Sequence, residues 1–190
     1  MLGIILHHIH NRLGLCSPII SQVGYLATGL FFFISGYGNM LSINKKNDIN
    51  VKWFVRKLLK IYVPFFVAYW FYYICNIIFY PCEVPTIKEM IQDIITISLP
   101  NEISWFPKII VLCFLIHYLT RKAFSNRIIQ LATISMVICV YIVIMWKKGT
   151  GTYWYNSVLC YPFGIFVSLV KDSFLSSSIL EKRKLSYLYV

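Results

Sequence analysis

The chain has 190 residues, 58% hydrophobic, 17% aromatic and only 13% charged, proportions that exclude a disordered chain and fit a membrane protein far better than a soluble domain. Eighteen Lys and Arg against seven Asp and Glu give a net charge of +11, which anionic lipid satisfies with no nucleic acid partner. The six cysteines, Cys16, Cys75, Cys82, Cys113, Cys139 and Cys160, form no C-x-x-C pair and no His stands at metal-ligand spacing, so neither a metal site nor a disulfide scaffold is expected.

In chain order, Met1–Leu6 is apolar but too short to cross a bilayer, and it runs into His7-His8-Ile9-His10. It reads as the end of a first span cut short, over about residues 1–10. Five further segments approach the roughly 20 apolar residues that a helical span requires. They are about Val23–Leu41, Ile61–Tyr80, Trp105–Leu119, Ile128–Trp146 and Tyr153–Val170, each bounded by charged or Pro-containing stretches. Between the second and third, Pro85 precedes Thr86-x-x-Glu89, a capping box, and Ile87, Met90, Ile91, Ile94 and Leu99 fall largely on one face until Pro100. That pattern predicts a helix over about 86–99 lying in the membrane interface. Beyond Lys182-Arg183-Lys184 the chain turns apolar again, like the opening of another span, so both ends read as those of a fragment. The expected fold is all-α, a polytopic transmembrane helix bundle.

Orientation follows from the basic residues. With the Ile43–Lys60 loop cytoplasmic, thirteen Lys and Arg fall inside and five outside, as the positive-inside rule requires. Four of the seven acidic residues, Glu83, Glu89, Asp93 and Glu102, then share one outer loop. The expected location is the cytoplasmic membrane, crossed several times.

Three features could carry chemistry. Histidines at membrane depth suit proton transfer near neutral pH, although His7, His8 and His10 could equally mark a helix end among headgroups. In Gly29-Leu30-Phe31-Phe32-Phe33-Ile34-Ser35-Gly36-Tyr37-Gly38 the glycines allow close backbone approach, of a neighbouring helix or of a ligand. In Trp53-Phe54-Val55-Arg56-Lys57-Leu58-Leu59-Lys60-Ile61-Tyr62-Val63-Pro64 the cations could grip a phosphate or anchor the span to lipid.

Their order resembles acyltransferase family 3, membrane proteins that include the O-acetyltransferases of bacterial surface polysaccharides. Ser104-Trp105-Phe106 is similar to the Trp-Phe pair opening a later family span, and the run from Tyr155 to Phe166 resembles the family's Pro-Leu-Gly segment. The resemblance covers nearly all of this chain, about half to two-thirds of a usual family member. It implies transfer of an acyl group, expected to be acetyl, from acetyl-CoA to a hydroxyl of a cell-surface carbohydrate. A first-span histidine would be the base; His7 and His8 are both candidates, with a preference for His8. The family's preceding cation would lie before Met1, and eleven residues of helix, about 16 Å, would place the histidine near mid-bilayer. The resemblance further implies that Lys57 and Lys60, standing where the family has two arginines, and Arg56 hold coenzyme A, and that Ser35 and Gly36 match a Ser-Gly signature. Lysine keeps the charge but loses the guanidinium fork. Membrane lipid, acyl-CoA and a carbohydrate acceptor are the expected partners. A transporter or flippase for lipid-linked saccharides, and a non-catalytic membrane protein, are the competing readings.

Overall fold

The computed structural model describes residues 18–45, 50–79, 85–96 and 105–171. The described residues are helical with short connections and contain no strand, so the fold is all-α. Six α-helices follow in order among the described residues: α1 Pro18–Lys45, α2 Val51–Phe79, α3 Ile87–Thr96, α4 Trp105–Ala123, α5 Arg127–Lys147 and α6 Cys160–Lys171. A short 3-10 turn, Thr152–Trp154, precedes α6.

An apolar core that includes Phe32, Met40, Ile134 and Ile165 is buried, and much further apolar surface faces outward. Leu26, Leu30 and Ile34 on α1, Val67, Phe71 and Ile78 on α2 and Ile128 and Met136 on α5 are all exposed by more than half. Thr28, Asn39, His117, Thr120, Gln130, Ser157 and Ser168 are buried as well. Apolar surface on this scale suits lipid, where helices associate through packing and through polar groups turned inward. Among the described residues, α2 and α5 are long and apolar enough to cross a bilayer by length and composition.

Helix ends follow local chemistry. Asn50 caps α2, its Oδ1 accepting from the Trp53 amide at 3.1 Å, and Asn126 caps α5, accepting from the Ile128 amide at 2.8 Å. The basic stretch after Val51, expected to be loop as far as Lys60, is therefore the first turns of α2, since nothing between Asn50 and Pro64 breaks a helix. Pro64 sits within α2 and, having no amide hydrogen, leaves the Lys60 carbonyl without its helical donor. Just past the Lys148 cap of α5 stands Gly149, whose φ of +65° lies in the left-handed region that costs other residues a steric penalty. The apolar segment from Tyr153 is helical only from Cys160. Its first part folds as the 3-10 turn and successive turns, and Pro162 occupies the first turn of α6, where its missing donor is harmless.

The capping box of α3 is present as expected. The Thr86 amide donates to Glu89 Oε2 at 2.7 Å, the Thr86 hydroxyl donates to the same oxygen at 2.8 Å, and the Glu89 amide donates back to Thr86 Oγ1 at 3.4 Å. α3 buries no residue; Ile87, Ile91 and Ile95 form an exposed stripe, while Met90, Asp93 and Ile94 on another side are half-buried.

The chain divides into two compact units, one of residues 1–48 and 123–190, the other of residues 49–122. The first holds α1, α5 and α6. The second holds α2, α3 and α4.

Candidate functional site

In the second unit, the start of α2 packs against the end of α4. Phe54 stacks on Tyr118 with ring centroids 5.2 Å apart. One turn further along α2, the Lys57 ammonium lies 5.5 Å from the centroid of the Trp53 ring and 5.9 Å from that of Phe114. Both distances are within cation–π range, so two ring faces fix the position of a half-buried charge. Lys60, one turn on, and Arg56 are exposed. From α4, the Lys122 ammonium lies 5.7 Å over Tyr118, and Arg121 is half-buried beside it in sequence. Basic residues separated by some sixty positions thus gather at one end of this unit, the arrangement expected if both stretches face the same side of a membrane.

His117, fully buried on α4, was not singled out by its sequence pattern. It lies within electrostatic reach of Lys57 and Arg121. The signal available was an ionisable residue inside an apolar segment, four positions after Cys113 and four before Arg121. Next to it Thr120 is also buried, its hydroxyl satisfied by the carbonyls of Ile116 at 2.8 Å and His117 at 3.0 Å.

The first unit contains Ser35 and Gly36. Gly36 is buried where α1 meets α6, and a Cβ there would overlap the Tyr161 carbonyl oxygen. Gly164 reciprocates, since its Cβ would overlap the Phe33 carbonyl oxygen and come within 2.9 Å of the Tyr37 amide. Two glycines, one from each helix, therefore let the two backbones touch. Of the two uses that a glycine here allows, packing against a helix is the one this geometry displays; Ser35 beside it is half-buried.

Polar contacts extend that seam toward the ends of both helices. The buried Asn39 amide donates to the Tyr161 hydroxyl at 2.9 Å, and the Lys171 ammonium donates to the Tyr37 hydroxyl at 3.0 Å. Nearer the start of α1, the Ser157 hydroxyl donates to the Tyr25 carbonyl at 3.2 Å. The pairs Tyr25–Ser157, Gly29–Cys160, Phe33–Gly164 and Tyr37–Lys171 advance together along both segments, so α1 and α6 run parallel.

His7 and His8, the candidate bases, lie outside the described residues, as does His10. The cations Arg56, Lys57 and Lys60 belong to one unit and Ser35 and Gly36 to the other. Among the described residues no cluster of His, Cys, Asp or Glu could hold a metal ion, and Cys75, Cys113, Cys139 and Cys160 are free thiols.

No curated protein and no solved structure matches the chain. The family model Acyl_transf_3, described as an acyltransferase domain, matches residues 1–188. That span takes in the histidines, the Ser-Gly segment of α1, the basic start of α2 and the glycine of α6, and the chain belongs to acyltransferase family 3.

Proposed function

We propose that this membrane acyltransferase moves an acyl group, acetyl in the simplest case, from acyl-CoA at the inner membrane face to a hydroxyl of a cell-surface carbohydrate. The observation that carries this reading is the family match over residues 1–188. In the reaction, the hydroxyl oxygen bonds to the thioester carbonyl carbon as the carbon–sulfur bond breaks. The hydroxyl proton passes to an imidazole and then to the departing thiolate, which leaves as the free thiol of coenzyme A. His8 is the proposed base, with His7 as the alternative register; base catalysis of this kind contributes about 10²- to 10⁴-fold in rate.

Lys57, Lys60 and Arg56 are proposed to hold the 3′-phosphate or pyrophosphate of the donor. The clamped position of Lys57 supports this assignment, because a charge held in place by two rings loses less side-chain freedom when it meets a phosphate. Ser35 and Gly36 are assigned to the donor region through their signature, in addition to the packing role of Gly36. A flippase or transporter draws some support from polar residues buried in three helices, Asn39, His117 and Gln130. Family membership favours group transfer.

The test is coenzyme A release from acetyl-CoA in membranes carrying the full-length protein, with His7→Ala and His8→Ala compared at equal expression. Adjacent residues point about 100° apart around a helix, so one variant should lose about 10²-fold or more while the other retains most activity. Release at the unmodified rate in both variants and in their combination rejects the histidine mechanism.

A further inference from the structure

The first unit contains a cleft of about 710 Å³ between α1 and the segment leading into α6. Its volume falls in the range of small-molecule sites. One wall is the face of α1 from Gln22 to Phe33, twelve residues with eleven rises between the first and last, and so about 16 Å long. The other comprises Thr152, Asn156 and Ser157, then Cys160 and Phe163.

Because these two walls run in parallel, the cleft has a chemical direction. Gln22, Thr152, Asn156 and Ser157 supply amides and hydroxyls at one end. Leu30, Phe33 and Phe163 line the other, where the two Phe rings lie 5.8 Å apart. Midway the two walls approach closely at Gly29, where a Cβ would stand 3.2 Å from Cys160 Sγ. None of the described residues lining the cleft is a Lys, Arg, His, Asp or Glu. A phosphate or carboxylate entering it would lose water and gain no counter-charge from these described residues. Sugar hydroxyls would instead exchange water for amide and hydroxyl partners, which both donate and accept.

We propose that this cleft seats the acceptor and that the acceptor is amphiphilic, with a neutral sugar at the Gln22–Asn156 end and an alkyl chain along Phe33 and Phe163. The inference rests on the acyl-transfer reading above and adds the acceptor's location and chemical class to it. In the proposed orientation the polar end opens to the outer face and the apolar end points into the bilayer, as a glycolipid of the outer leaflet does. Cys160, a half-buried free thiol in the middle of the cleft, reports occupancy directly.

The experiment uses full-length protein in membrane vesicles, with cysteines other than Cys160 replaced, and follows alkylation of Cys160 by N-ethylmaleimide. Octyl glucoside, kept below micelle formation, should slow alkylation about tenfold at ten times its dissociation constant. Asn156→Leu, at an exposed position, should weaken that protection about five- to tenfold, the equivalent of one hydrogen bond. Equal protection by free glucose removes the alkyl arm and overturns the proposal, equal or better protection by octyl phosphate overturns the neutral headgroup, and no protection by octyl glucoside overturns the site itself. Coenzyme A release measured on the same vesicles separates the two levels. Lost protection with intact release rejects the cleft alone, whereas intact protection without release rejects acyl transfer and retains the cleft as a glycolipid site.

Discussion

Lys57 and Lys60 stand one helical turn apart, yet the first is clamped between Trp53 and Phe114 and the second is exposed. If both meet the donor's phosphates, the clamped residue should contribute more, since less freedom is lost on binding. Lys57→Ala is therefore expected to weaken acyl-CoA binding by about 1.5–3 kcal/mol, in the range of a hydrogen bond to a charged group, and Lys60→Ala by less. Equilibrium binding to the full-length protein measures both; equal and negligible losses would leave these residues as lipid anchors. The charge of Lys57 was legible in the sequence, because a basic run before an apolar one is a local pattern. Its clamp was not, since Phe114 lies 57 positions away and only the packing of α2 on α4 supplies it. His117 was obscured for the same reason: no window along the chain says which side of α4 turns inward.

The elements written into a few consecutive residues were the most legible. The box of Thr86 and Glu89 is complete within four positions, and the structure forms both halves of it. Hydrogen bonds from the Thr86 amide and hydroxyl hold the Glu89 carboxyl below its ordinary range. Asp93, one turn later, is held above its range by burial and then by the charge of Glu89, with Lys108 opposing. The signs differ: Glu89 contributes stability above its unfolded pKa and loses it as pH falls through its lowered value. Asp93 is best accommodated below its unfolded pKa, and that contribution is lost as pH rises through its raised value. The Glu89 contribution should disappear in Glu89→Gln, so acidification should reduce the hydrogen-exchange protection of the α3 amides less in that variant than in the parent protein.

Tyr153–Leu159 was the least legible stretch, because hydropathy counts apolar residues without distinguishing a helix from turns packed on a neighbour. The α1–α6 seam was half-legible. Gly36 announced close approach, and only the fold shows that its partner is the Tyr161 backbone. Gly36→Ala should gain about 1 kcal/mol of helix propensity and lose about 1–3 kcal/mol by overpacking a seam that has backbone on both sides. A net loss in the thermal stability of the purified full-length protein checks this.

At the scale of the whole chain, the basic residues predict that Ile43–Lys60 is cytoplasmic and Pro81–Ser104 outside. The parallel course of α1 and α6 is what three crossings between them, by α2, α4 and α5, would give, and it holds for either orientation of the chain. Cysteines placed singly at Asn47 and Gln92 in a cysteine-free background test the orientation in intact cells. An impermeant thiol reagent should reach the second and not the first, and the reverse result would invert the topology.

The same parallel pair sets a timetable for synthesis. Asn39 waits for Tyr161 across 122 residues, which a ribosome at about 5–20 residues per second takes on the order of ten seconds to add. For that interval the Asn39 amide, the Gly36 cradle and the α1 wall of the cleft stand without α6. The nascent helix must be sheltered by lipid or by the insertion machinery until the last described helix arrives to cover it.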